Sequence, residues 1–471
     1  MLKHVLNYLS VSVFAVLLGI VSIPILTHLL TPREYGSYHT FIALVAISNI
    51  LFTLNFHTGI SRYWYEEKED KPAFITLSLF GSFVILAIFT SIVYSSKTLQ
   101  TIMGIEYTWI KYLILLVLIN IFISVYSQIL VPQRKSKRQA VFSIVKIYTS
   151  FGLGLLLIYV LPYSKAESLI LAQVIVGVLL VIFILKEIRQ YMTVAFSNAH
   201  TSYILKYTGP LFFYSISAIL MAQIDRLMLT NILSSAHTGL YSLAFIVANF
   251  FSMFMGAVMT AWTPNYFEDM NNEKYFSIKE GIKKIIDIAF LIATFIILFG
   301  DYIGYVLVDD KFNSALKYIP FIVIGLYLSL IYQLYGRAIG YAKKTIWIAI
   351  IFIIAGIVNF LFNNLLIAQY GISGAIFATL VANVLLAIGG YLVNKFILKY
   401  NDYIISYGVK VFFILSILVF IKSFLEFRSG IMIYFAEISL FFCIVIYLMK
   451  KNIEEIVWLK EKYFAYIKKK L

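Results

Sequence analysis

Apolar runs of about 20 residues or more, parted by short charged turns, follow one another along almost the whole chain. In hydrocarbon every backbone N–H and C=O must bond within the protein, so runs of this kind fold as membrane-crossing helices. Of the 471 residues, 61% are hydrophobic and only 13% charged, which excludes a water-soluble globule. About fourteen such helices take up roughly 280 residues and leave little for a soluble domain. The expectation is an all-α integral membrane protein.

The runs fall near 5–30, 38–59, 73–95, 110–132, 139–161 and 166–185. After a polar stretch from Lys186 to Lys206 they resume near 207–231, 238–264, 285–308, 318–339, 346–368 and 372–394. Two more, near 409–425 and 431–448, precede a charged tail. The chain thus divides into a six-helix block over 1–190, a second over 191–400, an added helix pair over 401–450 and a tail over 451–471. The first run has only Lys3 and His4 ahead of it and no small-residue cleavage pattern behind it, so it reads as a retained helix.

The formal charge of +15 would suggest nucleic acid in a soluble protein. Here its placement gives another reading. With a cytoplasmic amino terminus, the turns carrying Arg62, Lys68 and Lys71, then Arg134, Lys135, Lys137 and Arg138, then Lys274, Lys279, Lys283 and Lys284 all fall inside. Roughly 27 basic residues then lie inside against about 8 outside, and both termini are cytoplasmic. The tail sets Ile453, Ile456, Val457, Tyr463, Phe464 and Ile467 at helical spacing and ends in Lys468, Lys469 and Lys470. It reads as an amphipathic helix on the anionic lipids of the inner leaflet, or, for its last residues, as a solvated basic tail. Neither needs nucleic acid.

An internal duplication is visible at one place. LTHLLTPREYGSY, from Leu26 to Tyr38, aligns without gaps to LTNILSSAHTGLY, from Leu229 to Tyr241. Leu26, Thr27, Leu30, Gly36 and Tyr38 match Leu229, Thr230, Leu233, Gly239 and Tyr241. Both segments sit at the outer turn between the first two helices of their blocks. Blocks of six helices keep the same orientation, which implies a pseudo-two-fold axis along the membrane normal.

Several chemistries are excluded or unsupported. The single cysteine, Cys443, allows neither an intramolecular disulfide nor a cysteine-based zinc cluster. No Gly-Lys pair occurs, so the chain carries no P-loop, and neither His-Glu-x-x-His nor Gly-x-Ser-x-Gly is present. Gly152 and Gly154 lie inside a span and read as helix-packing glycines. The outer loops are too short for a catalytic domain of ordinary size, so neither an enzyme nor a cofactor is expected.

A charge at mid-bilayer costs on the order of 3 kcal/mol even on lenient scales, so such residues usually face a cavity or a partner. Asp225 and Arg226 lie in the outer half of the seventh run, Lys146 in the fifth, Arg337 near the inner end of the tenth and Glu437 in the fourteenth. Asp225 and Arg226 point about 100° apart on a helix. They contact different partners, as a gate, a substrate site or a packing bridge. Lys146 lies deeper than its stem readily snorkels, which favours a cavity. Arg337 faces a cavity or reaches the inner head groups, and Glu437 fits a structural partner such as a nearby lysine. Asn49, Asn55, Asn120, Gln128, Gln223, Asn249, Asn359, Asn363 and Asn364 add polar groups to the spans and imply a wet central cavity, although some only bond helix to helix.

LLTPREYGSYHTF from Leu29 to Phe41, HTGISRYWYEE from His57 to Glu67, GPLFFYSISAILMAQIDRLML from Gly209 to Leu229 and YGISGAIFATLVANV from Tyr370 to Val384 carry a family resemblance. With the six-plus-six-plus-two plan, they make the chain resemble the Wzx-type polysaccharide-export flippases of the multidrug/oligosaccharidyl-lipid/polysaccharide exporter superfamily. The resemblance implies two MATE-like six-helix lobes around a central cavity, in the bacterial cytoplasmic membrane. The implied cargo is an oligosaccharide on undecaprenyl pyrophosphate, moved outward for O-antigen, capsule or exopolysaccharide assembly, with a polymerase and chain-length regulator as partners. A pyrophosphate needs basic groups along its passage, and Arg62, Lys146, Arg226 and Arg337 are the candidates. Asp225 is the candidate for coupling to H+ or Na+. The rivals are a cation-coupled drug exporter of the same superfamily and a membrane-bound polysaccharide polymerase.

Overall fold

A computed structural model describes residues 2–66, 70–193, 197–400, 404–425 and 437–446. No strand occurs among them. The helices are α1 (Leu2–Leu29), α2 (Pro32–Leu51), α3 (Thr58–Glu66), α4 (Lys71–Ser95), α5 (Lys97–Ile102), α6 (Ile110–Leu130), α7 (Ser136–Val160) and α8 (Lys165–Ile188). They continue with α9 (Asn198–Ile232), α10 (Ser235–Ala248), α11 (Phe250–Asn271), α12 (Tyr275–Leu307), α13 (Ile319–Tyr341), α14 (Ile346–Tyr370), α15 (Ile372–Leu392) and α16 (Ile405–Leu425), then α17 (Glu437–Ile446). Among the described residues, 10 helical stretches are long and apolar enough to cross a membrane. The protein is a multi-pass membrane protein.

Local chemistry moves several boundaries from where hydropathy alone puts them. The second run stops at Leu51, because Leu54 and Asn55 adopt left-handed φ values of 47° and 55° before α3 begins. Asn tolerates that region, and its backbone N–H bonds the Thr53 hydroxyl. The eighth run is two helices, divided at Asn249. The polar stretch after Lys186 is largely helical: α8 runs to Ile188, and α9 starts at Asn198 under a Ser197 cap. Of the two candidate packing glycines, only Gly154 packs, with Leu169 and Ala172 where a Cβ would be; Gly152 faces open space. The basic tail lies outside the described residues.

α2 begins with a capping box, in which Thr31 accepts from the Glu34 N–H while the Glu34 carboxylate accepts from the Thr31 N–H, and Pro32 occupies the first turn. One core forms in α3, α4 and α6 around Phe74, Ile121 and Tyr126. Another forms in α10 to α13 around Phe251, Ile286 and Tyr327. The two groups of helices meet where α2 crosses α10 and runs beside α9. Below, the end of the molecule holding the α1–α2 and α9–α10 turns is the repeat end, and the opposite end is the basic end.

Buried ion chemistry holds the last helices in place. Lys422 on α16 donates to the Asp301 carboxylate on α12 at 2.6 Å and to the Leu298 carbonyl at 2.6 Å. Glu437 on α17 accepts from the Tyr302 hydroxyl at 2.6 Å, so its direct partner is a tyrosine, and the neighbouring lysine bonds Asp301 instead. Asp301 and Lys422 lie in separate apolar runs, 121 residues apart, and only the fold pairs them.

Candidate functional site

The duplicated turns face each other at the repeat end. A Cβ on Gly36 would lie 1.7 Å from the Ser235 carbonyl oxygen, and one on Gly239 would lie 2.1 Å from the Pro32 carbonyl oxygen. Only glycine permits this crossing of α2 over α10, because backbone occupies the space on both sides. Hydroxyls then join the helices: Thr40 on α2 meets Thr230 on α9 at 2.7 Å, and Thr230 meets Thr238 on α10 at 2.7 Å. Thr238 also bonds the Arg226 carbonyl at 3.2 Å.

Asp225 lies one turn below that contact and is buried. Its carboxylate accepts from the Tyr241 hydroxyl at 2.6 Å, the Thr379 hydroxyl at 2.7 Å and the Asn363 amide at 2.6 Å. Asn363 also donates to Asn359 at 3.2 Å, and Asn359 donates to Thr379 at 3.4 Å. Hydrogen-bond donors from α10, α14 and α15 therefore converge on one carboxylate of α9. Arg226 points elsewhere, as neighbouring helical residues must. Its guanidinium donates to the Ala222 carbonyl and the Gln223 side chain, both at 3.0 Å, and lies 5.0 Å from the Phe245 ring centre.

Lys146 is set about ten residues into α7, or about 15 Å along its axis. It lines a cavity of about 360 Å³ together with Tyr38, His39, Ser150 and Gln173. Its ammonium donates to Asn120 at 3.3 Å, and Gln173 donates to the Tyr38 hydroxyl at 2.8 Å. Among the described residues, His39 Nε2 and Ser150 Oγ have no hydrogen-bond partner. A cation among such groups suits an anionic, hydroxyl-rich ligand.

The other two cations stand apart from these. Arg62, on α3, is ion-paired with Glu66 and lies 4.7 Å from the Tyr207 ring centre on α9, while Glu66 accepts from the Tyr203 hydroxyl at 2.6 Å. The Tyr203 hydroxyl and the Arg62 guanidinium hold the Glu66 carboxyl below the usual carboxylate range. The contact thus joins α3 to α9 at the basic end and is lost only as the pH falls through that lowered value. Arg337 shares a stripe of α13 with Gln333, Gly336 and Gly340, and both glycines face open space. α13 is the most buried of the crossing helices, so an amide and a guanidinium on its open face fit a water-filled passage.

Polarity and charge flag Asp225, Asn359 and Asn363 in the sequence. Thr379 and Tyr241 are ordinary members of apolar runs, and only the fold brings them to the carboxylate. His39 and Gln173 beside Lys146 also emerge only from the structure.

The helices are arranged as in solved structures of a lipid II flippase and of multidrug transporters. The family described as polysaccharide biosynthesis protein matches residues 1–270, and the chain belongs to that family. Among solved structures, the chain is similar to the lipid II flippase MurJ in its inward closed conformation, with a TM-score of 0.74 and 14% identity, covering 97% of this chain and 100% of that one. It is also similar to a multidrug resistance MATE family transporter in its inward-facing conformation, with a TM-score of 0.59 and 15% identity over 81% of this chain and 98% of that one. For an outward-facing MATE structure the TM-score is 0.52 and the identity 18%, over 83% and 93%. No curated protein matches the sequence.

Proposed function

We propose that the protein is a flippase that carries undecaprenyl-pyrophosphate-linked oligosaccharide repeat units from the inner to the outer leaflet of a bacterial cytoplasmic membrane. It acts without enzymatic chemistry and supplies O-antigen, capsule or exopolysaccharide assembly, where a polymerase and a chain-length regulator are its partners. The chain crosses the membrane fourteen times, as two six-helix lobes over 1–190 and 191–400 and a helix pair over 401–450, with both termini and a basic tail over 451–471 in the cytoplasm. The repeat end is the outer end.

The observation that carries this reading is the cavity at Lys146. A chamber with one cation and several polar side chains among apolar walls, inside a membrane fold of a polysaccharide family, matches an anionic head group with hydroxyls, while the lipid tail stays in the bilayer. Arg337 on the open stripe of α13, Arg62 beside Tyr207 at the inner end and Arg226 at the outer contact supply the further cations of the passage. Outward movement of an anion is favoured by roughly 2.3 kcal/mol per charge per 100 mV, so ATP is not required.

The test is the sidedness of lipid-linked oligosaccharide in membranes with and without the protein, read with an impermeant glycosidase added from outside. Depletion is expected to strand the glycan inside. Unchanged sidedness with raised drug retention would instead support a drug exporter. Within this reading, Lys146→Gln is expected to lower export about five-fold, the worth of about 1 kcal/mol at a partly solvated charge pair. Lys146→Arg retains most of it. Export rates at matched protein level check both.

A further inference from the structure

Among the described residues, α7 is the least buried of the crossing helices. Val141, Phe142 and Val145 on α7 and Leu180 and Phe183 on α8 leave an apolar groove of about 570 Å³ open to the bilayer. These side chains recur at helical spacing, so the groove runs along both helices instead of forming an isolated dent. Lys135, Lys137 and Arg138 stand at its mouth. Arg138 is ion-paired with Glu187 on α8, which pins its guanidinium there. Among the described residues, neither Lys135 nor Lys137 has a carboxylate within ion-pair distance.

We propose that this groove is a binding site for an anionic glycerophospholipid of the leaflet at the basic end, separate from the transport path. The charge pattern selects the occupant. Two ammonium groups lacking carboxylate partners, beside a half-spent guanidinium, complement a phosphate head group, and the apolar channel below them takes an acyl chain. A zwitterionic lipid fills the channel equally well but brings its own cation to a mouth that already holds three. Selectivity therefore arises at the mouth and retention arises in the groove. The lipid thus packs along the least buried crossing helix, the one that carries Lys146.

Native mass spectrometry of the full chain in an uncharged detergent, titrated with phosphatidylglycerol, cardiolipin or phosphatidylcholine, tests the site. The wild type is expected to retain one anionic lipid at least ten-fold more strongly than phosphatidylcholine. Each lysine near a lipid surface contributes about five-fold, so Lys135→Gln with Lys137→Gln lowers anionic affinity about 25-fold. Val141→Trp, which fills the groove and leaves every charge in place, also abolishes retention. Lys343→Gln with Lys344→Gln, an equal loss of charge between α13 and α14, leaves it unchanged. Equal losses in the two double variants would reduce the effect to diffuse attraction and overturn the proposal, as would full retention in Val141→Trp. A preference for undecaprenyl phosphate over every phospholipid would assign the groove to the cargo and overturn it as well.

Discussion

Export by the Gly36→Val variant is expected to fall about 150-fold or more while the protein still reaches the membrane. Overpacking a close contact costs about 1–3 kcal/mol, and here the opposing atom is the Ser235 carbonyl oxygen, 1.7 Å from where the first side-chain atom would stand. A backbone oxygen cannot rotate aside as a side chain does, so α2 and α10 must separate. The cost falls on the closed arrangement alone, and about 3 kcal/mol is about 150-fold in the ratio of closed to open molecules. Gly239→Val strikes the same contact from the other helix, at the Pro32 carbonyl, so the two substitutions together do little more than either one. Thiol labelling separates trapping from misfolding. In a Cys443→Ser background, a Gln173→Cys reporter beside the Lys146 cavity becomes reactive to an impermeant reagent added from outside once the outer contact is held apart. Normal export with unchanged labelling would show that this crossing is no part of the transport cycle.

The duplication behind that prediction is legible in the sequence, where Gly36 and Gly239 hold equivalent places in two aligned turns. What the sequence does not state is that the two turns touch. A repeat gives equivalence of environment, whereas contact across a pseudo-symmetry axis depends on how the two units pack. The apolar runs likewise place most helices, and they err where local hydrogen bonds override hydropathy, as at Thr53–Asn55. Asp225 stands out as a charge in an apolar run. Its pairing with Asn363 and Thr379 does not, because they lie 138 and 154 residues away and converge on it only through folding. Lys422 and Asp301, 121 residues apart, escape notice for the same reason.

Asp225→Asn is expected to leave a folded protein whose export no longer draws on an ion gradient. The carboxylate accepts three hydrogen bonds, from Tyr241, Thr379 and Asn363, and an asparagine fills the same volume with one of its two oxygens retained. Folding therefore suffers modestly. Asp225→Leu removes every acceptor, leaves three donors unpaired in a buried site at about 1–3 kcal/mol each, and is expected to lower the amount of protein in the membrane. The functional loss in the asparagine variant follows from charge. If one H+ or Na+ enters through this carboxylate per cycle, it contributes roughly 2.3 kcal/mol per 100 mV, about 50-fold in the attainable gradient of cargo. The site is also placed to act on the outer contact. Tyr241 bonds the carboxylate from α10, two residues beyond Gly239, while Thr238 ties α10 to the backbone of Arg226. In the proposed cycle, a cation drawn to the carboxylate would compete with the Tyr241 hydroxyl and so would release α10 at the repeat end. Tyr241→Phe, which keeps the ring and loses that bond, is accordingly expected to transport with weakened dependence on the gradient. Export measured in inverted vesicles with an imposed H+ or Na+ gradient reads both variants, and full gradient-driven export in Asp225→Asn would remove this residue from the coupling step.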